Sequence, residues 1–265
     1  MAATAAVALA ASAGAAFAGP VATNTINGVT FPIGLSADGN QIQGTYVWES
    51  PLITAPGQEL SGIGYVTSIL PAGSSTPVWT NGNHNTELAF YFSGLVSKTV
   101  VAPTPTTNGS LTFTGGTLTF YTLAGGTDIL GNGSIAADIA VVTGGKLWLS
   151  EKFAPTIVGS NVTLSSTIYG GSLTEFENAG GAGYLDVTGG PAGPDFATHT
   201  FSNPADATGF SDQTFNSSFN TASPSEFPIS GTTNIKANAI PEPATLSLLG
   251  AGLLGLGAAV RRRRG

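Results

Sequence analysis

Between Gly19 and Ala239 apolar residues recur at every second position in short runs, broken by Gly, Asn, Ser and Pro. Such alternation puts one face of an extended chain into a core and the other into water. No stretch of this body sustains a 3.6-residue apolar period beyond about two turns, so helices cannot organise it. Thr45-Tyr46-Val47-Trp48, Leu88–Phe92 and Val162–Ile168 read as strands. Leu111–Thr114 and Thr117–Phe120 flank Gly115-Gly116 and read as a tight hairpin, because Gly-Gly admits the positive φ of a two-residue turn. Ala102–Gly109, the Gly-rich Asn178–Pro194 and the polar Ser211–Pro228 read as loops, with Tyr184–Val187 a short strand. Ser230–Ala239 reads as a last strand. The expected fold is all-β, a sandwich or jelly-roll-like domain of about 8–14 strands.

Charge is scarce and unevenly placed. The 265 residues include 37 Gly, 16 Pro and no Cys, and only 9% are charged. An apolar content of 42% argues against a disordered chain. Without Cys there is no disulfide, thiolate nucleophile or thiolate metal ligand. Residues 19–240 hold 4 basic and 14 acidic residues, net −10, which disfavours nucleic acid as a partner. All four Arg stand together as Arg261, Arg262, Arg263 and Arg264.

Both ends are apolar. Residues 1–18 form an uncharged Ala-rich run, and Ala16 and Ala18 supply the small residues that signal peptidase reads. A basic n-region is missing, so the expected true start lies upstream of Met1. At the other end, 244–260 is 17 residues without a charge, followed by the Arg cluster. As a helix it would be about 25 Å long and would cross a bilayer with help from snorkelling Arg. The Arg cluster would stay cytoplasmic and leave the preceding domain outside the inner membrane. Pro241 and Pro243 forbid a helix running upstream of the span. Gly250-Ala-Gly252-Leu-Leu-Gly255 matches a dinucleotide fingerprint but follows no strand.

Pro241, Glu242 and Pro243, then the span 244–260, then Arg261–Arg264, resemble the PEP-CTERM sorting signal of Gram-negative bacteria. The resemblance implies export through the secretory translocon, cleavage by signal peptidase and transient residence in the inner membrane. Processing near the triplet by the membrane protease exosortase would follow. It also implies an association with exopolysaccharide, biofilm or floc formation. A weaker similarity, to flocculation-associated PEP-CTERM proteins, rests on Tyr184–Gly190, Phe196–Phe201 and Phe215-Asn-Ser-Ser-Phe219. The implied organisation is a signal peptide at 1–18, an exported domain at 19–239 and a sorting signal at 240–265.

Motifs for chemistry are sparse. His84 falls in a turn-like Asn/Gly segment, and His199 alternates with Thr198 and Thr200 in an expected strand. Neither has a carboxylate at a spacing that specifies acid–base work or a metal. Glu175 and Glu177 would share a strand face about 7 Å apart, a spacing a glycosidase pair permits, but the body has no Arg. Asp38-Gly-Asn40 suits an ordinary turn better than a Ca²⁺ loop. Trp48, Trp79 and Trp148 suit a core better than sugar stacking. No catalytic, cofactor or metal residue is assigned. The expected role is a non-enzymatic surface or matrix protein whose partners are exosortase and extracellular polysaccharide. The alternatives are an exported carbohydrate-active enzyme or carbohydrate-binding module, and a permanently anchored single-pass protein.

Overall fold

A computed structural model describes residues 21–221 and 226–240. Fifteen strand segments carry the architecture. A first hairpin joins β1 (Thr23–Ile26) to β2 (Val29–Pro32). Then come β3 (Asn40–Ser50), β4 (Glu59–Val66), β5 (Ser68–Leu70), β6 (Trp79–Thr80), β7 (Thr86–Val101) and β8 (Gly109–Ala124). Helix α1 (Ile135–Thr143) precedes β9 (Lys146–Ala154), β10 (Val162–Tyr169) and β11 (Asn178–Gly189). After the short α2 (Gly193–Phe196) follow β12 (Phe201–Ser202), β13 (Phe210–Ser211), β14 (Gln213–Thr221) and β15 (Ile229–Ala237).

The main sheet closes on itself. β3 pairs with β4, β4 with β7, β7 with β8, β11 with β14, β14 with β15, and β15 returns to β3 from Ile229↔Glu49 to Ala237↔Asn40. Between β8 and β11 one position is shared end to end. β10 pairs with residues 109–114 of β8 and β9 with residues 117–122. The same two strands divide β11 between them. β5 likewise continues β4 along β3. The result is an antiparallel up-and-down barrel with eight strand positions.

This confirms the all-β class and corrects the sandwich or jelly roll. Alternation requires one buried face but does not say whether a second sheet or the far side of the same sheet covers it. The span 244–260, expected as a transmembrane helix, lies outside the described residues. Among those described, no helix is long and apolar enough to cross a membrane. Outward positions on β14 and β15 are Thr214, Asn216, Ser218 and Asn220, and Ser230, Thr232, Asn234 and Lys236. These polar side chains suit water rather than lipid.

Three local expectations also change. Gly115-Gly116 is not a turn: both residues have positive φ, 71° and 96°, inside the continuous β8. They bend the strand where its partner switches from β10 to β9, and the insertion moves the buried positions from Phe113 to Leu118. A Cβ on Gly116 would meet Leu95 Cδ2 at 2.5 Å and Phe153 Cδ2 at 2.9 Å. Gly116→Ala is therefore expected to cost roughly 1–3 kcal/mol in urea unfolding. Gly126→Ala, with a φ of 81° but open space around it, should cost less. Equal losses would contradict this account.

Asn178–Gly189, expected as loop, is β11 throughout, and Gln213–Thr221 is β14. Their inward residues are small on β11 (Ala179, Gly181, Gly183) and aromatic on β14 (Phe215, Phe219). Small residues opposite rings fill a tapering interior. α1, nine residues long, was too short for the periodicity to disclose. Ser134 caps it, accepting from the Ala137 amide at 3.1 Å, and it packs on the outer face against Ala89 and Ile63.

Aromatic residues close one barrel end. Phe120 pairs with Leu149 and Tyr121 with Leu147, so Trp148 is the extra residue of a bulge. Its ring meets Phe31, Phe120 and Phe196 edge-on at 5.9, 6.1 and 5.5 Å. The indoles of Trp148 and Trp79 donate to Ile26 O and Gly28 O, each at 3.2 Å, and hold the β1–β2 hairpin over this end.

Candidate functional site

Two places on the barrel bear on function: the point where the chain leaves it, and its interior.

The exit lies at the plugged end. After β15, Asn238 is buried and accepts from the Ser36 amide at 3.0 Å. Its Nδ2 donates to Ser36 O at 3.1 Å and Thr200 Oγ1 at 2.9 Å. Gly34 N donates to Ala239 O at 2.7 Å, and Ile240 N donates to Asp195 O at 2.9 Å. Backbone pairing thus continues to the residue before Pro241. Proline has no N–H, so Pro241 and Pro243 cannot donate to a ladder. Pro241, Glu242, Pro243, Arg261–Arg264, Ala16 and Ala18 all lie outside the described residues.

Towards the opposite end the interior keeps a narrow cavity of about 50 Å³. Phe92, Phe113, Phe153, Phe215 and Phe219 line it, with Gly181, Ser166 and Ser217 contributing small or polar positions. Glu49 also lines it, only 6% exposed. Register puts Glu49 inside: its cross-strand partners are Gly62 on β4 and Ile229 on β15. No described residue hydrogen-bonds its carboxyl, and burial pushes its pKa up to about 8. Nothing local marks this acid, since Trp48-Glu49-Ser50 reads as a strand end.

A second acidic group sits nearer the plugged end. Glu151 on β9 is 1% exposed, and neither of its oxygens has a partner among the described residues. Burial first, then the charges of Asp212 and Asp186, hold its carboxyl well above the ordinary range. Asp186 is also raised, by burial ahead of its neighbours, and its ion pair with the largely exposed Lys152 is long, at 4.0 Å. Asp212 accepts from the amides of Val187 at 2.8 Å and His199 at 2.7 Å.

The other candidates separate. His199 lies not in a strand but in the connection from α2 to β12, with φ 48°. Its Nδ1 is 3.2 Å from Asp212 Oδ1, a pairing across 13 residues that sequence spacing did not suggest. His84 is exposed in a 3₁₀ turn. Glu175 and Glu177 are exposed in the loop before β11, on either side of buried Phe176, and share no strand face. Asp38 is exposed beside Gly39, whose φ of 68° makes the turn. Trp79 and Trp148 are core residues, whereas Trp48 is half-buried against Tyr46. Asn27-Gly28, a strong hairpin signal, would have disclosed the plug.

Comparison with known proteins bears on the exit. The family model of the PEP-CTERM protein-sorting motif matches residues 239–264. No curated protein and no solved structure matches the chain. The motif implies an exported, surface-directed protein that exosortase processes. The chain thus carries a PEP-CTERM protein-sorting motif directly after the last strand of an all-β barrel.

Proposed function

We propose that the barrel is the passenger of this sorting signal, a non-enzymatic protein of the cell surface or extracellular polysaccharide matrix. Signal peptidase removes 1–18 after Ala18, the exported domain spans 19–239, and 240–265 is the disposable handle. The span 244–260 holds the chain in the inner membrane, with Arg261–Arg264 on the cytoplasmic side, until exosortase acts near Pro241–Pro243. The observation that carries this reading is the position of the motif. Among the described residues the last strand closes at Ala237 and backbone pairing reaches Ile240, so the triplet follows the strand in the chain. A polar outer face with few charges supports a matrix role. Asn234 Nδ2 donates to Gln41 Oε1 at 3.0 Å, and Asn216 lies beside Asn234 in the ladder. Amides and hydroxyls in such rows hydrogen-bond well to uncharged sugars.

Mass spectrometry of the producer's extracellular fraction tests the reading. The expected mature form ends near Pro241–Pro243, and Glu242→Ala leaves the protein in the inner membrane with its Arg tail intact. An intact tail on all wild-type protein, found only in the inner membrane, would establish permanent anchoring instead. Failure to bind the producer's matrix polysaccharide would remove the matrix role.

A further inference from the structure

The barrel interior holds a feature that sorting does not use: a cavity with a buried, unpartnered carboxyl group facing it. Closing an eight-position barrel leaves an interior that side chains fill or that holds one small ligand. Here the plugged half is filled by Trp148, Phe31 and Phe120, while the other half retains about 50 Å³. That is room for roughly four water-sized groups in single file. The walls are rings and aliphatic chains, so ordered water has few polar partners. A buried carboxyl with no protein partner carries a desolvation cost that a ligand hydrogen bond would relieve.

We propose that this cavity is a binding site for a short, uncharged aliphatic molecule with a hydroxyl head, which hydrogen-bonds Glu49 while its chain lies among Phe113, Phe153 and Phe215. The chemistry follows from the walls. Among the described residues, Glu49 is the one titratable side chain lining the cavity. Its cross-strand neighbours Gly62 and Ile229 carry no charge, and among the described residues that line the cavity none is a cation to receive an anionic head. A protonated carboxyl offers one donor and one acceptor, which suits a hydroxyl. Burial pushes the Glu49 carboxyl up to about 8, so this form prevails at pH 6. Gly181 and Ser217 both line the cavity, and a Cβ at 181 would lie 2.6 Å from Ser217 Oγ, so a larger side chain there pushes Ser217 or itself into the space.

The site does not depend on how the tail is processed. The test titrates the full chain with 1-propanol, whose four heavy atoms match the room available, in a fluorinated surfactant that mixes poorly with hydrocarbon. Calorimetry should show saturable binding at pH 6 that weakens about 100-fold by pH 10, as the carboxyl ionises two units above its pKa. Glu49→Gln keeps a donor and an acceptor and should bind with a flat pH profile. Gly181→Val should fill the cavity and abolish binding while retaining the wild-type circular dichroism spectrum. Absence of saturable binding to folded wild-type protein at pH 6 overturns the proposal. Tighter binding of propylamine, with an optimum above pH 8, overturns the uncharged head. If either variant fails to fold, the wild-type pH profile with the two probes still decides.

Discussion

Raising the pH from 5 to 9 should destabilise the barrel by about 4 kcal/mol or more. The cause is the set of carboxyls that barrel closure traps. Glu49 has an ordinary value of 4.5 and a folded value of about 8. Between those values the folded barrel keeps a proton that the unfolded chain releases, so stability falls as pH rises and levels off above about 8. At about 1.4 kcal/mol per pH unit over the three units from pH 5 to about 8, Glu49 alone accounts for roughly 4 kcal/mol. Glu151, also raised, acts in the same direction. The loss compares with total stabilities of about 5–15 kcal/mol for ordinary domains. Urea midpoints at pH 5 and pH 9 measure it. Glu49→Gln should flatten the slope partly, and the double variant with Glu151→Gln should flatten it further. A wild-type midpoint that is constant or rises with pH would show that these carboxyls are solvated or paired.

Trp148→Ala should be the most damaging single truncation. The ring is fully buried and meets three other aromatic residues, and its indole N–H holds Ile26 O at 3.2 Å. Truncating such a side chain costs about 3–5 kcal/mol through lost transfer energy and a residual cavity. Losing the indole's hydrogen bond to the half-buried Ile26 carbonyl adds about 1 kcal/mol. Trp148→Phe keeps part of the volume and should lose less. Trp48→Ala, on the outer face, should lose least. Urea unfolding of the three variants orders them, and a Trp148→Ala midpoint near wild type would mean that the hairpin does not depend on this ring.

How much of this was legible in the chain depends on the range of the interaction. Leu88–Phe92 shows itself as a run of aromatic and apolar residues, and Val162–Ile168 because apolar residues are spaced by Thr and Ser. β11 does not, because its inward residues are Ala179, Gly181 and Gly183. Small residues are right there only because Phe215 and Leu164 reach across to them, and residue 215 is far along the chain. Gly115-Gly116 has turn chemistry, yet its positive φ serves a bend inside a strand, since β7 runs alongside past it. His199 and Asp212 meet through a loop that folds back, and spacing alone carries no such information.

The sorting motif was readable in full from the sequence, because a processing enzyme reads a linear string of Pro241, Glu242 and Pro243 ahead of an apolar span. The all-β class was readable for a related reason: side-chain alternation is a property of each strand alone. Closure was decided only in three dimensions. The ladder that joins β15 to β3 pairs Ala237 with Asn40 and Ile229 with Glu49, and alternation looks the same whether or not that last edge is sealed. Sealing it removes both sheet edges and turns Glu49 from a strand-end acid into a buried one. That step creates the interior cavity and the raised pKa together, because both arise from excluding water, which no single strand can do.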